Sequence, residues 1–295
     1  MKNKSCIIIG SEGYLGKHIV HYAGQYGFEI AGCHDISPQS ENPVYSSINI
    51  TDKESLEKIN VDVDCIFMFS GLTGTYAGFD NYEKYVAINE TGLLNLLDVM
   101  RRRQSKARII FPSTRLVYKG VDKPLRECDE KDHKTIYAIN KLACEAYLKA
   151  YANSFGIPFT VYRICVPYGN EISGDYSFGT IGFFLKNAKS GNPITLYGGG
   201  IQKRTFTHVA DICRQILLTA PLPQSKNEIY NIGGETFSLR EAAEIVNRRC
   251  GVEIKGVEWP EKDLLIESGD TYFDDSKISN LIDCTITKSL KEIEF

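Results

Sequence analysis

Tyr137 and Lys141 lie four residues apart in Tyr-Ala-Ile-Asn-Lys, a spacing that on a helix puts a phenol and an ammonium on one face. None of the other tyrosines has a lysine four residues later. A phenol titrates near 10, so to act as a base at neutral pH it needs about 4 kcal/mol in favour of phenolate. One ammonium at about 4 Å, in an effective dielectric of 20, supplies roughly that amount before desolvation. Such a pair suits an oxidation in which an alcohol loses its proton while a hydride leaves the carbon. Chance also supplies Tyr-x-x-x-Lys in a chain rich in both residues, so context must carry the chemistry. That context is Ile109-Ile-Phe-Pro-Ser-Thr114, an apolar run ending in two hydroxyls, as a strand does at the carboxyl edge of an open sheet where ligands bind. Thr114, Tyr137 and Lys141 are the candidate catalytic residues.

A place for the electron acceptor is readable near the N-terminus. The run Cys6-Ile-Ile-Ile enters Gly10-Ser-Glu-Gly13-Tyr14-Leu15-Gly16, which opens onto a helical pattern. Gly10 permits the tight turn, Gly13 lets backbone approach a pyrophosphate, and Gly16 lets the helix pack closely on the sheet. The helix N-terminus then offers unpaired N–H groups and a partial positive charge to phosphate. The spacing is GxxGxxG, weak by itself. The next strand-like run, Phe28 to Asp35, ends in a carboxylate about 20 residues past the glycines, where a ribose would sit. Asp35 would repel a 2′-phosphate, and no Lys or Arg occurs between Lys17 and Lys53 to welcome one. The expected cofactor is therefore NAD.

The elements that must hold these residues alternate: short β-branched runs at 5–9, 28–34, 45–49, 64–70, 107–113 and 159–165, with helical patterns at 13–26, 52–58, 80–103 and 135–155. This rhythm predicts an α/β protein, a Rossmann doubly wound parallel sheet. Capping boxes are expected at Thr51-x-x-Glu54 and Ser238-x-x-Glu241, and Gly156 followed by Pro158 ends the helix over 135–155. Beyond about Pro167 the chain turns glycine-rich and irregular, in Tyr168 to Asp175 and Leu196 to Gly200, as suits a pocket wall. The expectation is an NAD-binding domain over 1–166, with 206–233 returning to it, and a smaller, interleaved, mainly substrate-binding domain over 167–295.

Composition narrows the class. A 43% hydrophobic and 24% charged chain of 295 residues buries a substantial core, and a net charge of -3 gives no reason to expect nucleic acid. Arg101-Arg102-Arg103 reads as a solvated helix end. Nine cysteines without a CxxC pair suit reduced thiols in the core. No stretch reaches transmembrane length and the N-terminus has no signal-peptide pattern, so a cytoplasmic protein without membrane contact is expected. His18 and His21 lack a third ligand nearby, and no metal is expected. His133 and His208 read as structural or loop histidines.

Taken in order along the chain, the glycine turn, Asp35, Asn89, Ser113-Thr114 ahead of Val117-Tyr118, Tyr137/Lys141, the Arg163 to Gly169 segment and Arg204 resemble the extended short-chain dehydrogenase/reductase family, in its nucleotide-sugar epimerase/dehydratase branch. The resemblance implies that Tyr137 takes a proton from a sugar hydroxyl with Thr114 bonded to the same oxygen, while Lys141 lowers the tyrosine pKa and holds the nicotinamide ribose. It implies that Asn49 and Ile50 flank adenine and that Ser70, Gly71 and Asn89 line the cofactor. It places Val166, Tyr197, Arg204 and Asp270 in the substrate site, with Arg204 as a clamp on the diphosphate of a nucleotide sugar. Two departures stand out: Val166 replaces the family's Asn, and Glu267 replaces an Arg ahead of Gly269-Asp270, which puts UDP as the carrier in doubt. Family dehydratases have Thr-Asp-Glu where this chain has Thr114-Arg115-Leu116, so elimination is not expected. The implied reaction is 4-epimerisation, with 4-ketoreduction, or a non-catalytic dinucleotide-binding sensor or scaffold, as the alternatives. A homodimer is implied through the helices at 80–103 and 135–155, with Leu93, Leu97, Ala146 and Ala150 on their outer faces.

Overall fold

The computed structural model describes residues 3–172 and 179–292, so residues 173–175 of the first glycine-rich stretch lie outside the described residues. The strands are β1 (Lys4–Ile9), β2 (Phe28–Asp35), β3 (Tyr45–Ser47), β4 (Cys65–Met68), β5 (Arg108–Thr114), β6 (Phe159–Ile164), β7 (Val166–Tyr168), β8 (Ile194–Tyr197), β9 (Lys203–His208), β10 (Glu228–Asn231), β11 (Glu235–Ser238) and β12 (Ile254–Val257). Seven of them form one parallel sheet in the order β10-β6-β5-β4-β1-β2-β3. The chain winds outward from β1 to β3, then restarts at β4 on the other side of β1. The strand order therefore reverses between β1 and β4, and the crevice at such a point is where open α/β sheets hold ligands.

Both faces of the sheet are covered, which is why its central strands are continuous apolar runs rather than alternating ones. Ile7 and Ile9 point into a core shared with the Gly92–Arg102 and Ile136–Phe155 helices. Cys6 and Ile8 point the other way, against the Tyr14–Ala23 and Val209–Thr219 helices. Six of the nine cysteines are buried. A third core, including Val117, Tyr118, Ile181, Phe184 and Phe206, lies under a three-stranded sheet, β11-β9-β7, and a β12-β8 pair. Between the two glycine-rich segments, Ile181, Phe184, Leu185 and Ala188 give the Gly179–Lys189 helix a buried face.

Local signals were met in part. Thr135 caps the Ile136–Phe155 helix, Gly156 ends it at φ 68°, and the Ser238/Glu241 capping box is formed. Thr51 is not a cap: Asp52 accepts from the Glu54 N–H, while Thr51 donates its N–H and hydroxyl to Asn49 Oδ1. The expected helix over 80–103 is broken, with short turns at Ala77–Asp80 and Tyr82–Tyr85 and a π-helical stretch, Val86–Thr91, before Gly92–Arg102. Leu93 and Leu97 do not face outward; both are fully buried against the protein's own sheet, whereas Ala146 and Ala150 are exposed. Arg101, Arg102 and Arg103 are paired at the surface with Asp98 and Glu57. Among the described residues no helix is long and apolar enough to cross a membrane.

Candidate active site

The carboxyl ends of β1, β4 and β5 converge on a cavity of about 460 Å³, lined among others by Gly13, Tyr14, Leu15, Gly16, Gly71, Thr114, Tyr137 and Lys141. Residues from three separated stretches of sequence therefore meet in one wall.

The glycine turn is built for a phosphate-bearing ligand. Gly10 has φ +90°, and a Cβ there would sit 2.4 Å from the Ser70 backbone nitrogen; a Cβ on Gly16 would sit 1.9 Å from the Gly10 carbonyl oxygen. The Tyr14–Ala23 helix starts at Gly13 without any side-chain cap, so its first N–H groups face outward unpaired by side chains. The Ser11 hydroxyl is buried with no protein partner. A pyrophosphate satisfies the helix N–H groups. Asp35, at the end of β2, already accepts from the Glu12 and Ile36 N–H groups, which fixes its carboxylate beside the turn and leaves lone pairs for ribose hydroxyls. The residues present fit NAD.

Asn49, Ile50, Ser70 and Asn89 stand outside the lining of this cavity. Asn49 is exposed and holds the Thr51 turn, and Ile50 is buried against Gly92. Ser70 closes the turn over Gly10. Asn89 is buried and clamps the β4 loop, accepting from Leu72 N–H at 2.7 Å and donating to Leu72 O at 3.1 Å. The π-helical stretch is what aims Asn89 at this loop, which in turn positions Gly71.

The Tyr137 phenol lies beside the Thr114 side chain, and Lys141 Nζ donates to Pro112 O at 2.8 Å, 5.8 Å from the centre of the Tyr137 ring. The sequence arithmetic set the lysine charge against the phenol before desolvation. In the fold desolvation dominates: burial pushes Tyr137 above its ordinary value, partly opposed by the neighbouring Thr114 hydroxyl, and burial brings Lys141 down to about 8. Behind them, Glu145 and Arg163 form a buried bidentate pair at 3.0 and 2.6 Å, and Glu145 also accepts from Ser113 Oγ at 2.7 Å. This network anchors the end of β5 beside Thr114. Its sequence signal was the i, i+4, i+8 stripe Tyr137, Lys141, Glu145, of which only the first two were read.

The expected substrate residues are not all brought together. Val166 lines the cavity. Tyr197 is exposed on the outer side of β8 and packs on Trp259 at 5.2 Å, and Asp270 accepts from the Lys203 N–H. Arg204 is no free clamp: it is almost fully buried, with its guanidinium donating to Lys203 O, Gly269 O and, at 2.6 Å, Glu267. The arginine that does line the cavity, together with Lys141, is Arg115, whose place the sequence marks only by the lack of an acid. His208 caps the Val209–Thr219 helix through Nδ1, and the His18 ring bridges Tyr14 O and Glu171 N–H, so both serve structure.

Residues 6–233 match the model of the NAD dependent epimerase/dehydratase family. The chain is 26% identical to the CDP-paratose 2-epimerase of Salmonella typhi, covering 97% of this chain and 96% of that protein. It is 27% identical to the UDP-glucuronate 4-epimerase of Thermodesulfobacterium geofontis, covering 84% and 81%. The crystal structure of UDP-glucose 4-epimerase with UDP-glucose from Thermotoga maritima superimposes with a TM-score of 0.84 over 98% of this chain and 95% of that one, at 22% identity, so the fold is shared.

Proposed function

We propose that this chain, which belongs to the NAD dependent epimerase/dehydratase family, is an NAD-dependent enzyme that interconverts nucleotide-diphosphate sugars differing in configuration at C4. The observation that carries this reading is the meeting of Thr114, Tyr137 and Lys141 in the same cavity wall as the Gly13–Gly16 turn. NAD, when bound, supplies a reversible two-electron acceptor. Thr114 and Tyr137, side by side in the cavity wall, hold the oxygen of the sugar hydroxyl between them, and Tyr137 receives and later returns its proton. Lys141, with its ammonium 5.8 Å from the centre of the Tyr137 ring, has the sign of charge that favours the phenolate over the phenol. Arg115 and Leu116 stand where elimination of water needs an acid and a base, which supports redox without elimination. In this reading residues 1–166 and 206–233 hold the dinucleotide, and 167–295 mainly the sugar.

The test is incubation of the purified protein with UDP-, dTDP- and CDP-hexoses without reductant, following both C4 epimers by proton NMR. Interconversion by the wild type and its loss by at least about 100-fold in Tyr137→Phe, with NAD still bound, is the expected result. Undiminished turnover by Tyr137→Phe would remove the phenol from the mechanism.

A further inference from the structure

Glu12 stands inside the glycine turn, between Gly10 and Gly13, and its carboxylate is held at both oxygens. Ser40 Oγ donates to Oε1 at 2.7 Å, and Lys17 Nζ lies 3.4 Å from Oε2. Glu12 is the carboxylate with which Lys17 pairs among the described residues. Ser40 belongs to the segment that follows β2, so this side chain ties the glycine turn to that segment. Asp35 is bracketed by the same two pieces of chain: one of its oxygens accepts from Glu12 N–H at 3.0 Å and the other from Ile36 N–H at 2.7 Å. Tyr45 donates its hydroxyl to Asp35 O at 3.1 Å, and burial, then the charge of Asp35 and that of Glu12, raise its phenol above the ordinary value. Both carboxylates therefore stand on one side of the turn, around the end of β2. Glu12, Lys17, Ser40 and Glu41 line a cleft of about 700 Å³ there.

A carboxylate placed as Asp35 is reads the adenosine ribose of a dinucleotide through its 2′-hydroxyl. A phosphate on that oxygen has to lie among the groups linked around Asp35, which are the Glu12 carboxylate, the Ser40 hydroxyl and the Lys17 ammonium. The last two are what a phosphate needs, an O–H donor and a positive charge. Between Lys17 and Lys53 the sequence has no Lys or Arg. The fold brings Lys17 itself to this place and pairs it with Glu12. Selectivity can rest on repelling the wrong ligand as well as on attracting the right one.

We propose that Glu12 is a cofactor-selecting residue, whose carboxylate turns away a 2′-phosphate and occupies the Ser40 and Lys17 donors that could receive one. The inference rests on the dinucleotide site and is independent of the C4 chemistry proposed above. The two carboxylates have separate roles: Asp35 accepts from the ribose hydroxyls, which favours NAD, whereas Glu12 acts against NADP alone. One substitution at residue 12 removes the repulsion and releases both donors together.

The experiment is equilibrium titration of the nucleotide-free protein with NAD and with NADP, for the wild type, Glu12→Gln, and Glu12→Gln combined with Lys17→Met. The wild type should bind NAD about 100-fold or more tighter than NADP. Glu12→Gln, which removes the charge at nearly constant shape and keeps the backbone N–H on Asp35, should tighten NADP by about ten-fold or more and leave NAD within about three-fold. In the double variant most of that gain should be lost, because the ammonium that receives the phosphate is gone. If the wild type binds both dinucleotides alike, or if Glu12→Gln leaves NADP affinity unchanged or shifts both dinucleotides equally, the proposal is overturned. A gain that survives Lys17→Met in full would overturn the role given to Lys17. An unchanged melting temperature without nucleotide shows that each variant is folded, and since binding is read without turnover, failure of the epimerase reading would leave this result standing.

Discussion

Lys141 carries a pH dependence that can be measured without substrate. Its ammonium is buried in the cavity wall with Pro112 O as hydrogen-bond acceptor, and burial lowers its pKa from 10.5 to about 8. Below pH 8 the group is charged in both the folded and unfolded chain, and the cost of burying the charge is present in full. Between 8 and 10.5 the unfolded chain still holds the proton that the folded protein has released, so stability rises with pH across this window. The full displacement corresponds to about 3 kcal/mol, of which about 1 kcal/mol is released between pH 7 and 9. Lys141→Met removes the titration and little volume. Urea unfolding of both proteins at pH 7, 8 and 9 gives the difference in unfolding free energy, in which every other titrating group cancels. The wild type should gain on the variant by about 1 kcal/mol over that range. A difference that stays flat with pH would mean that Lys141 titrates as in solvent, and the desolvated ammonium invoked here would be wrong.

Breaking the pair behind the site should be costly: Glu145→Ala leaves Arg163 charged and buried, and urea unfolding should show a loss of about 3–5 kcal/mol. Glu145→Leu combined with Arg163→Met should recover most of it, and failure to recover would put the cost in packing instead. Gly16→Ala drives a methyl into the Gly10 carbonyl, so it should destabilise by about 1–3 kcal/mol and abolish the rise in melting temperature on adding NAD; an intact rise would show that the turn does not hold the dinucleotide.

The large sheet was legible because a strand covered on both faces must be apolar throughout, as Cys6 to Ile9 and Ile109 to Phe111 are. The glycine turn was legible because steric demand leaves no other residue at Gly10 or Gly16. Thr51 and Asp52 are both acceptable caps, and only the Asn49 turn decides between them. Leu93 and Leu97 have the spacing of an outward face and of an inward one alike, since both need a helical period; the sheet claims them. Arg204 and Glu267 are 63 residues apart, and Arg115 and Thr271 are 156 apart, so neither pairing leaves a trace in local pattern. The meeting of Thr114, Tyr137 and Lys141 was readable because it rests on i, i+4 spacing and a strand end, whereas the charge pairs formed through the tertiary fold were hidden.

The position of β10 dictates how this chain must be made. It lies outside β6, yet β7, β8 and β9 are all synthesised before it. While those residues emerge from the ribosome, β6 is the bare border of a six-stranded sheet, with apolar side chains on both sides and its hydrogen-bonding edge open to any other extended chain. Relief comes with Glu228–Asn231, when Asn231 also accepts from the Tyr118 hydroxyl that Arg163 bonds. A nascent chain stopped short of residue 231 is therefore a half-closed book whose exposed page invites aggregation, and chaperone capture fits that interval.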